Sequence, residues 1–499
     1  MFLELVGVLV SILIVVITYF KWCYTYWKRR NVPYLKPIAP FGTMKNVFSS
    51  QMCFGELLHR QYEEGKRMGC DALGLFQLVT PNYLAINPDH IKTALVKDFD
   101  HFTDHGVYHN ERDDPLSAHL FALEGKKWRN MRVKLSPTFT SGKMKAMMPL
   151  VIAVAGELKK AMEEICLSEK PFEAKELAGC FTTDVIGACG FGLNCNSFKN
   201  PDSEFRKHTK NVFKYESWDA LKSIVGHTNP PLARFLRIRA IAERDSTFFM
   251  TIIRQTFELR KTNDSKRNDF VQLLIDLKDS ETEEEAFQWT FEVLAAQAFL
   301  FFFAAYESSS ITLTFCLYEL SLQPHIQKKI KAEIDQVLKT HGQISYENLL
   351  EMKYTEQVIE ETLRKYPPLP TLNRKCTRDY HVPDTDIVIE KGTQWVVSLM
   401  GLHYDADHFP DPYKFDPDRF STENKKKIKP FTYLPFGDGP RICTGMRFAI
   451  MQIKLAIVTL LQSYEFSLNP KTVLPVKLNP TAYFLTPVHG IWLDVKRVE

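Results

Sequence analysis

Ten residues near the C-terminus, Phe436-Gly-Asp-Gly-Pro-Arg-Ile-Cys-Thr-Gly445, constrain this chain more than any other stretch, because they set one cysteine in a glycine-bracketed, proline-stiffened loop beside an arginine. Such a loop suits the presentation of a thiolate to a metal. A sulfur ligand must stay deprotonated in an apolar interior, which is costly unless donors and positive charge surround it. Gly439 and Gly445 permit backbone geometry closed to other residues, so that main-chain N–H groups turn inward toward the sulfur. Met446 to Ser463 reads as a helix, with Phe448, Ile450, Met451, Leu455, Val458 and Leu460 at its apolar positions, and places Cys443 just before the positive helix end. Arg441 adds a fixed cation that suits a carboxylate of a ligand held on the same face.

The other nine of the ten cysteines form no CxxC pair and read as ordinary buried thiols, which argues for a reducing environment and against a disulfide framework or a zinc site. For Cys443 the pattern Phe-x-x-Gly-x-Arg-x-Cys-x-Gly is far more specific, five residue types at fixed spacing. On this loop and the further motifs below, nearly the whole chain resembles the cytochrome P450 family, the heme-thiolate monooxygenases. The resemblance implies heme b with the Cys443 thiolate as axial ligand, Phe436 and Arg441 as further cofactor contacts, and electrons from NADPH delivered by a reductase.

The chain's 499 residues, 45% of them hydrophobic, are enough for a large buried core. No Gly/Ser tract, repeat or low-complexity run divides them after Pro33, and a net charge of +4 is too mild to point to nucleic acid. Leu5 to Phe20 is an almost unbroken apolar run of nearly bilayer-spanning length. Tyr19, Phe20, Trp22, Tyr24, Tyr26 and Trp27 follow as an interfacial aromatic belt, and Lys28-Arg29-Arg30 places the C-terminal side in the cytosol. The basic residues come after the apolar run, and no small-x-small site is evident, so an anchor fits better than a cleaved signal peptide. Pro33, Pro37 and Pro40 then form a stiff segment that would hold the main domain at a set distance from the membrane. The expected division is a membrane anchor over 1–27, a basic and proline-rich hinge over 28–42 and a heme-thiolate catalytic domain over 43–499.

Between hinge and cysteine loop, helical periodicity dominates near Pro115–Lys134, Gln288–Leu322, His325–Thr340 and Tyr346–Lys365, with short extended pieces at Thr385–Ile389 and Gln394–Ser398. The fold class is therefore mainly α with minor β, and the resemblance implies the cytochrome P450 fold, a single large helical domain with small β-sheets and an N-terminal transmembrane helix. Four-residue spacing puts Trp128 and Arg132 on one helix face, where an indole N–H and a guanidinium converge on one anion. In the family Trp-x-x-x-Arg binds a heme propionate. Arg374 resembles another propionate ligand. His105 stands where related members often carry an arginine, and it would bind that charge only when protonated. Glu361 and Arg364 taken alone read as an ordinary i,i+3 pair. The family implies that they act with Arg419 to lock the following loops against the core, behind the cysteine. Asp418 stands where Glu is commoner.

Ala304-Ala-Tyr-Glu-Ser308 lies in a helix so rich in phenylalanine that an acid there is costly to bury. The reading assigns Glu307 and Ser308 to oxygen chemistry, as an acid and a hydroxyl that hold water and relay protons, with Ala304 lining the cofactor. Two departures from the family's pattern stand here: Ala305 replaces a glycine and Ser308 a threonine. Serine keeps the hydroxyl but loses the β-branch that fixes its rotamer, so looser coupling of electrons to product is expected.

Lys425-Lys-Lys-Ile-Lys429, with Lys126, Lys127 and Arg129, would lie on the cysteine side of the heme, where an acidic flavoprotein docks. The partners implied are NADPH-cytochrome P450 reductase, with cytochrome b5 as a second donor, a lipophilic small molecule and membrane lipid. Leu221 to Ile238 reads as a segment that dips into the membrane surface. Lys261 to Glu285 reads as exposed, and the Asn263 sequon is idle in a cytosolic domain. Phe121, Phe301, Phe302, Leu369 and Phe484 are the expected lining of the substrate site.

Together these readings describe a monooxygenase of the endoplasmic reticulum membrane, held by one N-terminal anchor with its catalytic domain in the cytosol. It resembles insect microsomal members that oxidise foreign compounds such as plant toxins and insecticides, and endogenous lipids or hormones stay open as substrates. A reductase-independent heme-thiolate isomerase or dehydratase is one rival. The other is a non-catalytic heme-binding protein.

Overall fold

The computed structural model describes residues 1–213, 217–262, 267–280 and 288–498, and of 217–221 the backbone alone. Helix dominates among them, as the periodicity predicts. The central element is the helix Phe291–Leu322, whose first turn is capped by the Thr290 hydroxyl accepting from the Val293 N–H at 3.3 Å. Pro324 opens the next helix, Pro324–His341. The central helix is apolar on nearly every side because other helices surround it. Its length and mean hydropathy of 1.4 would suit a membrane span, but its most apolar window is 72% buried within the protein.

Three packed neighbours position the site. The helix Ala174–Ile186, buried along most of its length, lies against the central helix. The cysteine helix, Met446–Leu461, joins the central helix through the Phe448 and Phe301 rings at 5.4 Å and a buried bond from Gln452 Nε2 to Ser309 Oγ at 2.8 Å. The helix Lys353–Lys365 carries Glu361 and Arg364. A four-stranded sheet stands to one side, in the order Ala72–Gln77, Thr80–Ala85, Gln394–Ser398, Thr371–Lys375. Its middle pair is parallel and its outer pairs antiparallel, with Arg374 opposite Trp395 in the register.

The N-terminal helix Phe2–Cys23 has no buried residue, and Phe2–Arg30 has a mean hydropathy of 2.5. The expected aromatic belt is shorter than the sequence suggests. Tyr19 and Trp22 are exposed, but Trp27 has no exposed surface, its indole N–H donating to the Leu75 carbonyl at 2.9 Å. A Cβ on Gly74 would come within 2.5 Å of the Trp27 ring, so the strand must be glycine there for the indole to lie flat on it. Arg30 stacks on Tyr26 with its guanidinium 3.7 Å from the ring centre and pairs with Glu390. Tyr34 bridges to Gly74. The basic and proline-rich segment expected as a spacer is thus docked on the sheet, and the rigid body begins near Tyr24 rather than at residue 43.

Other boundaries move for local reasons. The helix expected over Pro115–Lys134 is a single turn at Pro115–Ser117 and a helix only from Gly125 to Leu135, because the intervening backbone carbonyls bind Arg441 instead. The stretch Tyr346–Lys365 breaks at Met352 into Tyr346–Glu351 and Lys353–Lys365. The strand Gln394–Ser398 has the expected bounds, whereas only Val388–Ile389 pairs within Thr385–Ile389. Within Lys261–Glu285, the helix Phe270–Asp279 buries Phe270, Val271, Leu274 and Ile275 and belongs to the core. The Asn263 sequon lies outside the described residues.

Candidate functional site

The cysteine loop closes on itself through the Cys443 N–H donating to the Phe436 carbonyl at 2.9 Å. Gly439 carries a φ of +70°, and a Cβ there would lie 2.0 Å from the Leu95 carbonyl oxygen, so only glycine fits. Gly437 is left-handed as well, at +72°. Gly445, expected to share that role, has an ordinary φ of −86° and caps the cysteine helix instead. Its N–H and that of Met446 both favour the thiolate, as does the nearby Arg132 guanidinium, but burial outweighs them and raises the Cys443 thiol above its ordinary value. Cys443 is the one cysteine of the ten classed as exposed, although the same sulfur is desolvated. These two facts agree if its surface opens onto an internal recess rather than bulk water.

Trp128 and Arg132 line one surface groove with Pro440 of the cysteine loop, as their spacing predicts. Trp128 is also the platform for Arg441, whose guanidinium carbon sits 4.0 Å from the indole centre. Arg441 donates to the carbonyls of Thr103 and Leu123 at 2.7 Å, of Leu120 at 3.2 Å and of Phe121 at 3.5 Å. This arginine therefore laces the 120–123 segment to the cysteine loop, a structural part in addition to the ligand contact expected of it. Asp104, which the sequence reading missed, stands 3.8 Å from it and accepts from the Gly125 N–H at the start of the tryptophan helix.

Arg374 differs in kind. It is 2% exposed, bonds only to the neighbouring Asn373 carbonyl at 2.9 Å, and leaves its buried Nε without a partner. With no carboxylate beside it, burial lowers its pKa to about 10. Burial, with Arg374 next to it, lowers Arg441 to about 9. His105, 9% exposed, binds the Phe121 carbonyl through Nδ1 at 2.8 Å. Burial and the two arginines hold its imidazole well below its ordinary value, so it stays neutral unless an anion joins the cluster. Two guanidinium groups that weaken each other, one with an orphaned N–H, suit a buried ligand carrying carboxylates. Together with an accessible thiol, that donor set fits heme with its propionates.

On the central helix, Ala304 is exposed and Phe303, Ala305 and Ser308 are half-buried, while their neighbours Phe302, Tyr306 and Glu307 are buried, so one stripe of the helix faces an opening. Ser308 belongs to that stripe, with its hydroxyl donating back to the Ala304 carbonyl at 2.6 Å. Glu307 does not share it. One residue is a turn of about 100° in a helix, and the Glu307 carboxylate, 5% exposed, pairs with Lys175 at 2.8 Å. Lys175 lies far off in sequence and could not be found there. Phe301 and Phe302, expected in the lining, pack into the core: Phe301 stacks on Phe270 at 4.5 Å, and Phe302 meets Phe249 at 4.8 Å. Phe303 and Phe484 flank the stripe through Phe213, at 4.6 and 5.6 Å. Phe121 is 42% exposed and lies against His105 at 4.2 Å, and Leu369 is half-buried.

Behind the cysteine loop, the pair expected as an ordinary ion pair is fully buried. Arg364 Nε meets Glu361 at 2.7 Å with both side chains 0% exposed. Arg364 also donates to the carbonyls of His403 at 2.8 Å and Lys414 at 3.3 Å, and Glu361 accepts from the Asp416 N–H. Arg419 approaches Glu361 at 3.5 Å and donates to Asp411. His403 completes the set and was not anticipated. Its Nε2 accepts from the Leu434 N–H at 3.1 Å, so Nδ1 carries the proton given to the Arg364 carbonyl. Local pairs already answer part of the basic patch: Lys127 with Glu111, Arg129 with Asp100 and Lys425 with Glu360. Lys126, Lys426 and Lys427 remain exposed.

A family model described as cytochrome P450 matches residues 35–493. The chain is 41% identical over 489 residues to probable cytochrome P450 6a14 of Drosophila melanogaster, covering 95% of this chain and 96% of that protein. It is 40% identical over 485 residues to cytochrome P450 6a2 of the same fly, covering 95% and 96%. To cytochrome P450 6k1 of Blattella germanica it is 38% identical over 502 residues, covering 97% and 95%.

Proposed function

Because this chain belongs to the cytochrome P450 family, whose members are heme-thiolate monooxygenases, we propose that it oxidises lipophilic foreign compounds on the cytosolic face of the endoplasmic reticulum. The observation that carries the reading is the accessible Cys443 thiol close to a buried cluster of cations whose Arg374 lacks an acidic partner. Cys443 would hold the heme iron and Arg374, Arg132, Trp128 and Arg441 its propionate side, with Phe436 packed beside the ligand and Ala304 against the ring. His105 would join them by gaining a proton as carboxylates arrive. The heme, when bound, supplies dioxygen activation with NADPH-derived electrons.

The chain's own residues then have separable tasks. Gly445 and Met446 N–H groups and Arg132 favour a thiolate at Cys443. Phe303, Phe484 and Phe121 offer an apolar wall that excludes water from a lipophilic guest. Ser308 is the hydroxyl able to pass a proton at the exposed stripe, once its bond to the Ala304 carbonyl is exchanged. Glu307 would act through Lys175 and water, as its carboxylate is turned from that stripe. The exposed Lys126, Lys426 and Lys427 are the charges left to steer an acidic reductase or cytochrome b5. The helix Phe2–Cys23 would anchor the protein, and Leu232, Phe235 and Leu236, at 43%, 83% and 55% exposure, would rest in lipid.

The reduced, carbon-monoxide-bound spectrum of the purified protein tests this. A strongly red-shifted Soret band in the native chain and its loss in Cys443→Ala support thiolate ligation, and substrate oxidation that stops without NADPH separates a monooxygenase from an isomerase. A well-folded, heme-loaded native protein without that band would overturn the assignment.

A further inference from the structure

Side chains alternate along the strand Thr371–Lys375, and its two faces carry different chemistry. Leu372 faces the cysteine loop, its Cδ2 lying 3.7 Å from where a Cβ on Gly437 would stand. Thr371 and Asn373 take the opposite face and meet Tyr483. The Thr371 and Tyr483 hydroxyls are 3.0 Å apart, and Asn373 Nδ2 donates to Tyr483 Oη at 3.5 Å. With that donor in place, the Tyr483 hydroxyl directs its own proton to Thr371. The Asn373 carboxamide is thereby held with its oxygen outward, and this oxygen is buried with no hydrogen-bond partner among the described residues. A buried, unpaired carboxamide oxygen is costly and calls for an explanation.

The surroundings supply one. Tyr483 lies against Phe54, with ring centres 6.1 Å apart, and meets Phe484 edge-on at 6.1 Å. Phe484 meets Phe213 edge-on at 5.6 Å, and Phe213 stacks flat on Phe303 at 4.6 Å. Phe303 precedes Ala304 on the open stripe of the central helix. An aromatic row therefore runs from the proposed reaction site to the polar trio. Tyr483 and Phe484 keep accessible surface, although burial raises the Tyr483 phenol above its ordinary value, which places the hydroxyl on an internal recess.

We propose that Thr371, Asn373 and Tyr483 form a polar subsite at the end of this aromatic row, where the Asn373 carboxamide oxygen accepts a hydrogen bond from a hydroxyl or N–H of a lipophilic aromatic substrate. The proposal rests on the monooxygenase reading for the identity of the row as a substrate path. A site of this kind discriminates strongly, because a guest without the donor leaves the oxygen unpaired. Tyr483 positions the amide, and Asn373 sets the specificity.

Full-length holoprotein titrated with para-phenylphenol and, separately, with biphenyl tests the subsite through the substrate-induced Soret shift. The native protein is expected to prefer the phenol, and Asn373→Leu to reduce that preference about tenfold, with the biphenyl Kd nearly unchanged. Tyr483→Phe, which frees the amide to turn, is expected to reduce it about threefold, and it carries the test if Asn373→Leu fails to load heme. A phenol-to-biphenyl Kd ratio that is the same in native protein and variants overturns the proposal, as does an equal loss for both ligands. The titration reads binding alone, so a native protein that shows the preference yet forms no NADPH-dependent product would sink the monooxygenase reading and leave the subsite standing.

Discussion

Arg364 and Arg374 stand ten residues apart and are equally buried, at 0% and 2% exposure, yet their surroundings are opposite. Arg364 has Glu361, two backbone carbonyls and, through Glu361, Arg419 and the Asp416 N–H. Arg374 has one carbonyl, an orphaned Nε and another cation nearby. Burial alone therefore does not separate a structural charge from a ligand-binding one, since both are desolvated. The inventory of partners does: a saturated set is an internal brace, and a surplus of one sign is a receptor for the other.

The sharpest way to break this comparison is to remove one member of the saturated set. Arg364→Ala leaves Glu361 buried without its cation and is expected to cost about 3–5 kcal/mol, enough to abolish heme-loaded protein on expression, which carbon-monoxide spectra and urea unfolding would show. His403 sharpens it next through pH. Its imidazole is held neutral, at about 3 against an ordinary 6.5, chiefly by burial and secondly by Arg364. The unfolded chain takes up that proton between the two values and the native state does not, so stability falls as pH drops from about 6.5 toward 3. The slope in mid-window is about 1.4 kcal/mol per pH unit. Urea midpoints across that range should lose this component in His403→Gln, and a slope identical in the two proteins would remove His403 from the brace.

Arg374→Leu should behave in the opposite sense. Transfer of heme to excess apomyoglobin is expected to run about tenfold faster than from the native protein, while the heme-free form is at least as stable, because an unpaired buried cation has gone. An apoprotein destabilised as severely as Arg364→Ala would erase the distinction between the two arginines. Arg129→Ala marks the lower limit. Its pair with Asp100 is 59% and 70% exposed, and unfolding should shift by no more than about 0.5 kcal/mol.

Much of the site was legible because its chemistry is local. The loop Phe436–Gly445, the Trp128–Arg132 spacing and the length of the central helix each follow from neighbours within a few residues, and helix boundaries there carry ordinary capping and proline signals. The unread parts are contacts between distant segments. Nothing near Glu307 predicts Lys175, and nothing near His403 predicts that it would join Arg364 to Leu434. Phe301, Phe302 and Phe303 are indistinguishable in composition, and only the helical phase relative to Ala304 separates core from lining. Trp27 read as a membrane-interface residue because an indole suits both settings. The absence of a side chain at Gly74, far along the chain, decides for the core.

The amino-acid sequence by itself determined the family, the thiolate loop, the mainly helical class and an apolar N-terminal helix, since each is written in residue types at short, regular spacing. Tertiary structure alone decided which buried charges are satisfied. It set Glu361 against Arg364, turned Glu307 to Lys175, left Arg374 without an acid and held Asn373 with its oxygen unpaired. The reason is physical: a side chain's propensity depends on its own chemistry and near neighbours, but the free energy of a buried polar group depends on every atom that replaces water around it.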